Sequence, residues 1–203
     1  MDSGQEADEL LNSVLELQRG VRVEENSQRI FRLFYPWARR FFGRFGYTPQ
    51  ESEDLAQETF TQVFERIGSF RLEGSFKSWF FAVASNVHRN QHRWRHREKR
   101  RRPEVSIDTS ADLDGSPLEF PSPEAPPDRA AYEKERREAL AQAMARLPPQ
   151  MRQVLALRVD QDLKYREIAT VLQISIETVK AHLFQARERL RRELGEDWAG
   201  WED

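Results

Sequence analysis

The chain has 203 residues, of which 33% are charged and 38% hydrophobic, and its formal net charge is −2. This length predicts one or two domains with a buried core. No apolar stretch reaches the about 18–20 residues of a membrane span, so no membrane insertion is expected. The acidic N-terminus does not resemble a secretory signal, and the absence of cysteine excludes disulfides and thiolate sites. A cytoplasmic location is therefore expected.

The first part of the chain is predicted to form amphipathic helices. Leucines and a valine at helical spacing predict a first helix over residues 8–19, which Gly20 ends. A second helix is predicted over residues 24–45, with Pro36 causing a kink or a restart. Its apolar positions are three or four residues apart and form one face: Ile30, Phe34, Trp37, Phe41 and Phe45.

A third helix is predicted to begin at Ser52, which can cap its first turn, and to reach about Ile67. One side of this helix is apolar and the opposite side is polar. The polar side consists of Asp54, Gln57, Glu58, Thr61 and Glu65. Taken alone, this polar side is best interpreted as an ordinary solvated helix face.

Residues 70–102 combine aromatic side chains with a dense run of positive charge. A loop containing Gly74 leads into a helix that starts near Phe76, and residues 85–102 carry eight Lys/Arg and one Glu, a local charge of +7. This combination predicts nucleic-acid binding, with cations for phosphates and rings for unstacked bases. The alternative is a solvated helix end above a core-facing aromatic stripe. Trp79 fits either role, whereas Phe80 is expected in the core.

Three histidines of this predicted helix, His88, His92 and His96, are spaced four residues apart and share one face. Neighbouring pairs could hold a metal ion, but the surrounding arginines disfavour a divalent cation. We therefore interpret them as polar residues that face DNA, and we expect no metal site and no cofactor.

Residues 103–127 have a different composition. They contain six of the ten prolines and six Asp/Glu, without any Lys or Arg. Such a segment cannot bury enough apolar surface to offset the entropy of ordering. An extended, largely disordered acidic linker between two domains is therefore predicted.

The second part of the chain is again predicted to be helical, from about Arg129. Residues 165–172 form one predicted helix, residues 173–175 a tight turn, and Ser175 can cap a helix over residues 176–194. The apolar spacing indicates a helix-turn-helix, with an ordinary helical hairpin as the alternative. The second helix of such a motif enters the major groove. Its predicted exposed face is Glu177, Thr178, Lys180, Ala181, Phe184, Gln185 and Arg187.

Four segments, at residues 52–60, 70–90, 147–158 and 165–190, resemble in order and spacing the bacterial RNA polymerase sigma factors of the extracytoplasmic-function (ECF, group 4) type, in the sigma-70 family. The resemblance extends over about residues 8–195. It implies an all-α fold of two small helical domains joined by a flexible acidic Pro-rich linker. The implied divisions are a σ2 domain at 1–102, the linker at 103–128, a σ4 domain at 129–195 and an acidic tail at 196–203.

The resemblance also implies site residues. Core RNA polymerase, through its β′ coiled-coil, would bind Asp54, Gln57, Glu58 and Thr61. The minus-ten DNA would bind Phe70, Arg71, Lys77, Trp79, Asn86, Arg89, Asn90, Arg93, Arg95 and Arg97. The minus-thirty-five DNA would bind Arg166, Thr178, Lys180, Ala181, Phe184, Gln185 and Arg187. Ala181, His182 and Gln185 stand where Ser, Arg and Arg are common in the family, so the promoter preference is expected to differ.

The implied function is transcription initiation: the chain would bind core polymerase, direct it to specific promoters, melt them with σ2 and recognise duplex DNA with σ4. The implied partners are the β′ coiled-coil, the β flap (with σ4), promoter DNA and an anti-sigma factor. The alternative is a non-initiating helix-turn-helix regulator, or a sigma mimic that sequesters an anti-sigma factor. An enzyme is not expected, because the sequence has no Gly-rich phosphate loop and no nucleophile–base motif, and hence no catalytic residue.

Overall fold

The computed structural model describes residues 3–72, 74–101 and 127–195. Within these ranges the chain forms eight α-helices, one short 3-10 helix and no β-strand. This confirms the predicted all-α fold. Among the helices so described, none is long and apolar enough to cross a membrane.

The first domain contains the helices α1 (Ser3–Gln18), α2 (Val23–Gly43), α3 (Pro49–Arg66) and α4 (Phe76–Arg101), with the 3-10 helix Ile67–Ser69 between α3 and α4. α2 packs against both α1 and α3, and α3 packs against α4. The core is rich in aromatic rings because each helix contributes the face that its apolar spacing predicted. Its fully buried members include Ile30, Phe34, Phe41, Phe42, Val63, Phe80 and Phe81.

Pro36 does not restart the second helix, contrary to one of the two predicted outcomes. α2 runs without interruption from Val23 to Gly43. Pro36 has no N–H, so the carbonyl of Arg32 lacks its usual helical hydrogen bond. Both residues are exposed. Water can therefore satisfy that carbonyl, which explains how the helix tolerates a proline in its interior.

The predicted cap of the third helix is wrong by one turn. Thr48, not Ser52, caps α3: the Thr48 hydroxyl accepts a hydrogen bond from the backbone N–H of Glu51, and the Glu51 carboxylate accepts from the N–H of Thr48. Pro49 occupies the first helical position, where its missing N–H costs nothing. Ser52 is buried inside the helix. The sequence Thr-Pro-Gln-Glu is a capping box, and this signal could have located the cap.

The second domain contains α5 (Pro127–Arg146), α6 (Pro149–Val159), α7 (Tyr165–Leu172) and α8 (Ile176–Leu194). The predicted bounds of the last two helices and the cap of α8 are confirmed. The Ser175 hydroxyl accepts from the backbone N–H of Thr178 at 3.0 Å, and Gln173 makes the turn in the left-handed conformation, with φ 58°. α8 packs against the three other helices of the domain.

α5 begins at Pro127, so the last two residues of the predicted acidic linker (103–128) are helical. The rest of that linker and the predicted acidic tail lie outside the described residues.

Candidate nucleic-acid interface

The polar side of α3 is a solvent-exposed face on a well-anchored helix. Asp54, Gln57, Glu58 and Thr61 are all exposed, as is Glu65. The opposite side of the helix is held in the core by a set of buried residues: Leu55, Ala56, Thr59, Phe60 and Val63. The face therefore presents two carboxylates, an amide and a hydroxyl from a rigid support.

The loop that joins the 3-10 helix to α4, which we call the reading loop (residues 70–75), is anchored at its start. The Gln18 amide donates hydrogen bonds to the carbonyls of Ile67 and Phe70 at 2.8 and 3.0 Å. The Phe70 ring is buried against Phe76 and Trp79. Phe70, expected as a DNA contact, is thus placed in the core. Arg71 is exposed.

The N-terminus of α4 is polar and partly covered. The Ser75 hydroxyl accepts from the backbone N–H of Ser78 at 3.1 Å and so caps the helix. The Lys77 ammonium lies 4.4 Å from the centre of the Trp37 ring, and burial lowers the pKa of Lys77. Trp79 is half-buried with its ring against aromatic neighbours, which favours the core role for it. Phe80 is fully buried, as predicted.

The middle of α4 carries amides and guanidinium groups in pairs. The Asn86 carbonyl oxygen accepts a hydrogen bond from Arg89, and the Asn90 oxygen accepts one from Arg93 at 2.6 Å. Of the predicted DNA contacts in this part of the helix, three are exposed: Asn90, Arg93 and Arg97. This arrangement offers donors at intervals along one helix, which suits phosphate binding.

Arg95 is placed differently from its neighbours. Its guanidinium forms an ion pair with Glu51 and lies 4.5 Å from the centre of the Tyr47 ring. Glu51 is the acid of the α3 capping box, so Arg95 joins the start of α3 to the basic half of α4. The resemblance implied a DNA contact for Arg95, and in the structure this side chain is engaged within the region 2 bundle.

His88 is buried, which corrects the expectation that it faces DNA. Its Nδ1 lies 3.1 Å from the Tyr47 hydroxyl, and its ring stacks on Phe45 at 4.1 Å. Burial, together with the nearby His92 and arginines, lowers the pKa of His88 to about 4. His92 is exposed, and the side chain of His96 lies outside the described residues. Among the residues that are described, no three His or acidic side chains are grouped to hold a metal ion.

The helix-turn-helix of the second domain exposes most of its predicted DNA-binding residues. Glu177, Lys180, Ala181, Gln185 and Arg166 are exposed, and Phe184 is 68% exposed. Thr178 and Arg187 are partly buried. The outer face of α8 therefore presents a cation, an amide and an apolar ring to solvent, at Lys180, Gln185 and Phe184.

Comparisons with known proteins agree with this geometry. A family model described as Sigma-70 region 2 matches residues 30–100, and one described as Sigma-70, region 4 matches residues 137–190. The RNA polymerase sigma-H factor of Pseudomonas aeruginosa is 32% identical over 182 residues, which cover 85% of this chain and 90% of that protein. The chain belongs to the sigma-70 family of RNA polymerase sigma factors, in its ECF group.

One further relative and one solved structure are also similar to this sigma factor. The ECF sigma factor SigE of Mycolicibacterium smegmatis is 30% identical, with 83% of this chain and 58% of that protein covered. The solved structure of the sigma factor RpoE in complex with the anti-sigma factor NepR, from Bartonella quintana, matches 84% of this chain and 97% of that chain. It has a TM-score of 0.64 at 23% identity, which shows the shared fold. Sigma factors are transcription initiation factors without enzymatic activity.

The two domains of the sigma factor, here called the region 2 domain (α1–α4) and the region 4 domain (α5–α8), contact each other directly. α7 packs against α4. Asp160, after α6, receives two hydrogen bonds from Arg44, after α2, at 2.9 and 3.0 Å. The Glu167 carboxylate accepts from Ser75 and Ser78. These contacts were not predicted, because no local sequence pattern specifies which surfaces of two domains meet.

An interdomain cleft of about 970 Å³ lies beside these contacts in the sigma factor. Its α4 side includes Asn86, Arg89 and Arg93, and its region 4 side includes Gln173 and His182. Arg89 donates a hydrogen bond across it to the Gln173 side chain at 3.2 Å. Several predicted minus-ten contacts therefore face the other domain of the same chain.

Proposed function

We propose that this sigma factor binds core RNA polymerase through the exposed face of α3, opens and reads the minus-ten element with the reading loop and α4, and reads the minus-thirty-five duplex with α8. The proposal rests on the order in which these surfaces follow one another along the chain. An exposed acidic face lies on the helix directly before a basic helix, and a helix-turn-helix follows in the second domain.

The polymerase-binding part rests on the exposure of Asp54, Gln57, Glu58 and Thr61. Neither Asp54 nor Glu58 forms an ion pair with another residue that the structure describes. Carboxylates without an internal ion pair suit a basic partner surface, and Glu58 accepts only an exposed hydrogen bond, from the Gln62 amide at 3.1 Å. The β′ coiled-coil is the expected partner, with the β flap binding the region 4 domain.

The minus-ten part rests on the amides and cations that α4 presents. Asn86 is an amide that can both donate to and accept from a base edge, which suits a pocket for an unstacked base. Arg89, Arg93 and Arg97 can bind phosphates of the opened strand and the adjoining duplex. The proposal leaves out Phe70 and Arg95, because the first is buried in the core and the second is paired with Glu51.

The minus-thirty-five part rests on the exposed outer face of α8. Lys180 and Gln185 can reach base edges or phosphates, and glutamine favours adenine where arginine favours guanine. Phe184 can contact a thymine methyl group. We therefore expect a minus-thirty-five sequence richer in A·T pairs than one read by arginine at these positions.

An anti-sigma factor is proposed as a regulatory partner. The sigma factor RpoE, whose solved structure has the same fold, is bound there to the anti-sigma factor NepR, which supports this class of partner. Pull-down with this chain as bait should identify the partner.

The polymerase-binding part is tested by reversing the charge of the α3 face. The double variant Asp54→Arg with Glu58→Arg should lose binding to purified core polymerase while its circular dichroism spectrum stays that of the parent. The matched control is Glu24→Arg with Glu25→Arg, which reverses two exposed acids on α2 and should bind core normally. Unchanged core affinity in the α3 variant would refute this assignment.

A further inference from the structure

The interdomain cleft has a wall without acidic side chains. Its described lining residues include two arginines, three histidines and four side-chain amides, and none of them is an aspartate or a glutamate. The whole chain has 34 acidic residues against 32 lysines and arginines, so an acid-free wall does not follow from composition. A cleft lined in this way attracts anions, because nothing in its wall repels them.

The two arginines of the cleft keep their positive charge uncompensated. Arg89 donates hydrogen bonds to the Asn86 and Gln173 side chains, and Arg93 donates one to the Asn90 side chain at 2.6 Å. All three acceptors are neutral amides. Neither arginine forms an ion pair with another residue that the structure describes. Both guanidinium groups can therefore bind an anion without giving up an internal ion pair.

The imidazole of His88, which also lines the cleft, responds to the same charges. Burial is the main reason that its pKa is lowered to about 4, and the further causes are nearby basic groups at His92, Arg152, Arg95 and Arg89. These charge effects all act in one direction. They indicate a positive electrostatic potential on the α4 side of the cleft.

The region 4 side of the cleft adds an apolar surface. Pro148 and Pro149, at the start of α6, line it together with Met151, Leu172 and Ile174. Two consecutive prolines have fixed backbone angles and form a rigid surface. The cleft volume of about 970 Å³ lies at the upper end of the range, about 300–1000 Å³, that is usual for small-molecule sites.

Two polar groups of the cleft residues have no hydrogen bond within the described part of the chain. The Ser85 hydroxyl and the His182 Nδ1 are buried without such a partner. They belong to different domains, and both residues line the cleft. Unsatisfied buried polar atoms are rare in folded proteins and are commonly satisfied by a bound molecule or ordered water.

We infer that the interdomain cleft is a binding site for a small phosphate ester of about nucleotide size. Arg89 and Arg93 bind its phosphate, for which the forked guanidinium group is the best-matched side chain. Pro148, Pro149 and Ile174 pack against its apolar part. The inference goes beyond the proposed function, and only its consequence for DNA binding rests on that function.

The two halves of the site are tested by calorimetric titration of the full chain at about 0.15 M salt, without divalent cations. ADP carries both a phosphate and a flat apolar ring system, pyrophosphate carries only the charge, and adenosine carries only the rings. We expect one ADP per chain, bound at least about tenfold more tightly than either fragment, because each fragment uses one side of the cleft. No binding of ADP, or binding no tighter than that of pyrophosphate, would overturn the inference.

The α4 side of the site is located by two arginine variants. Arg93→Ala removes a charged donor from the cleft wall and should weaken ADP binding about tenfold. Arg97→Ala removes an exposed arginine one turn further along the same helix, outside the cleft, and should change ADP affinity by less than about twofold. Equal losses in the two variants would show that ADP binds the basic helix in general and not the cleft.

The region 4 side is located by adding one acid. Gln150→Glu places a carboxylate in the wall, in the first turn of α6, where an acid favours the helix, so folding should be preserved. It should weaken ADP binding about tenfold through charge repulsion. Gln142→Glu makes the same change at an exposed position of α5 outside the cleft and should have no effect. Unchanged ADP affinity in Gln150→Glu would overturn the site.

A ligand in this cleft should compete with DNA, because the proposed function assigns Arg89 and Arg93 to the minus-ten DNA. With ADP at ten times its Kd, binding to a forked DNA with a randomised single-stranded arm should weaken about tenfold. Unchanged fork binding, with ADP bound in the cleft, would refute the DNA role of these arginines and leave the ligand site standing. A chain that does not bind core polymerase would refute the proposed function without affecting the titrations.

Discussion

At the scale of single residues, the buried imidazole of His88 joins three parts of the region 2 domain. It bonds to Tyr47 in the loop before α3, stacks on Phe45 after α2 and belongs to α4. Burial is the main reason that its pKa falls from 6.5 to about 4, and His92, Arg152, Arg95 and Arg89 add to the effect. The folded protein therefore holds this ring neutral.

This pKa predicts a pH-dependent stability. Between pH 6.5 and about 4 the unfolded chain binds a proton at His88 that the folded chain does not, so stability falls as the pH falls through this window. From pH 7 to pH 5 the parent should lose about 2 kcal/mol more than His88→Gln, measured by urea unfolding. His92→Gln removes one secondary cause of the lowered pKa, so it should lose slightly less stability than the parent and clearly more than His88→Gln. Equal losses in parent and His88→Gln would contradict this.

Substitutions at Arg95 and Arg97 should distinguish a residue that positions α4 from a residue that binds DNA. Arg95→Ala removes an ion pair with Glu51 and a contact with the Tyr47 ring, and should lower the free energy of unfolding by about 1 kcal/mol. Arg97 is exposed, and Arg97→Ala should leave stability unchanged but weaken binding to forked DNA. A reversed pattern, with Arg97→Ala the less stable protein, would show that the assignment of the two roles is wrong.

At the scale of the element, the cap at the start of α3 supports the helix whose exposed face we propose to bind polymerase. Thr48→Ala removes the capping box and should cost about 1 kcal/mol in urea unfolding. Ser52→Ala, which removes only a 3.5 Å contact to the Tyr47 carbonyl, should change stability by less than about 0.5 kcal/mol. If Ser52→Ala were the more destabilised variant, the cap observed at Thr48 would not be the one that sustains the helix.

The helices themselves were predictable because each buries one face, and a buried face leaves a 3.6-residue repeat in the sequence. The α7–turn–α8 motif was predicted to the residue, since Ser175 marks the cap and apolar residues mark both helix faces. The cap at Thr48 was missed although its capping box was visible. The burial of His88 was missed because its helical spacing was shared with two other histidines, and spacing alone does not say which of them meets the core.

At the scale of the whole molecule, the segregation of charge was visible in the sequence, but the arrangement of the domains was not. The interdomain contacts of Arg44, Asp160 and Glu167 have no local signature, because a contact between separately folded units depends on two surfaces distant in sequence. Arg89 illustrates the consequence. It was predicted to bind DNA, and in the structure it bonds to Gln173 of the other domain.

The central claim is that this chain directs initiation at specific promoters, and transcription by reconstituted holoenzyme tests it most directly. Purified core polymerase and the chain are incubated with fragmented genomic DNA, and the 5′ ends of the transcripts are mapped. We predict discrete start sites that share two upstream motifs roughly 25 base pairs apart, about 85 Å along the duplex, and their loss with Asp54→Arg plus Glu58→Arg. A chain that binds core polymerase but yields no discrete start site on any fragment would contradict the account.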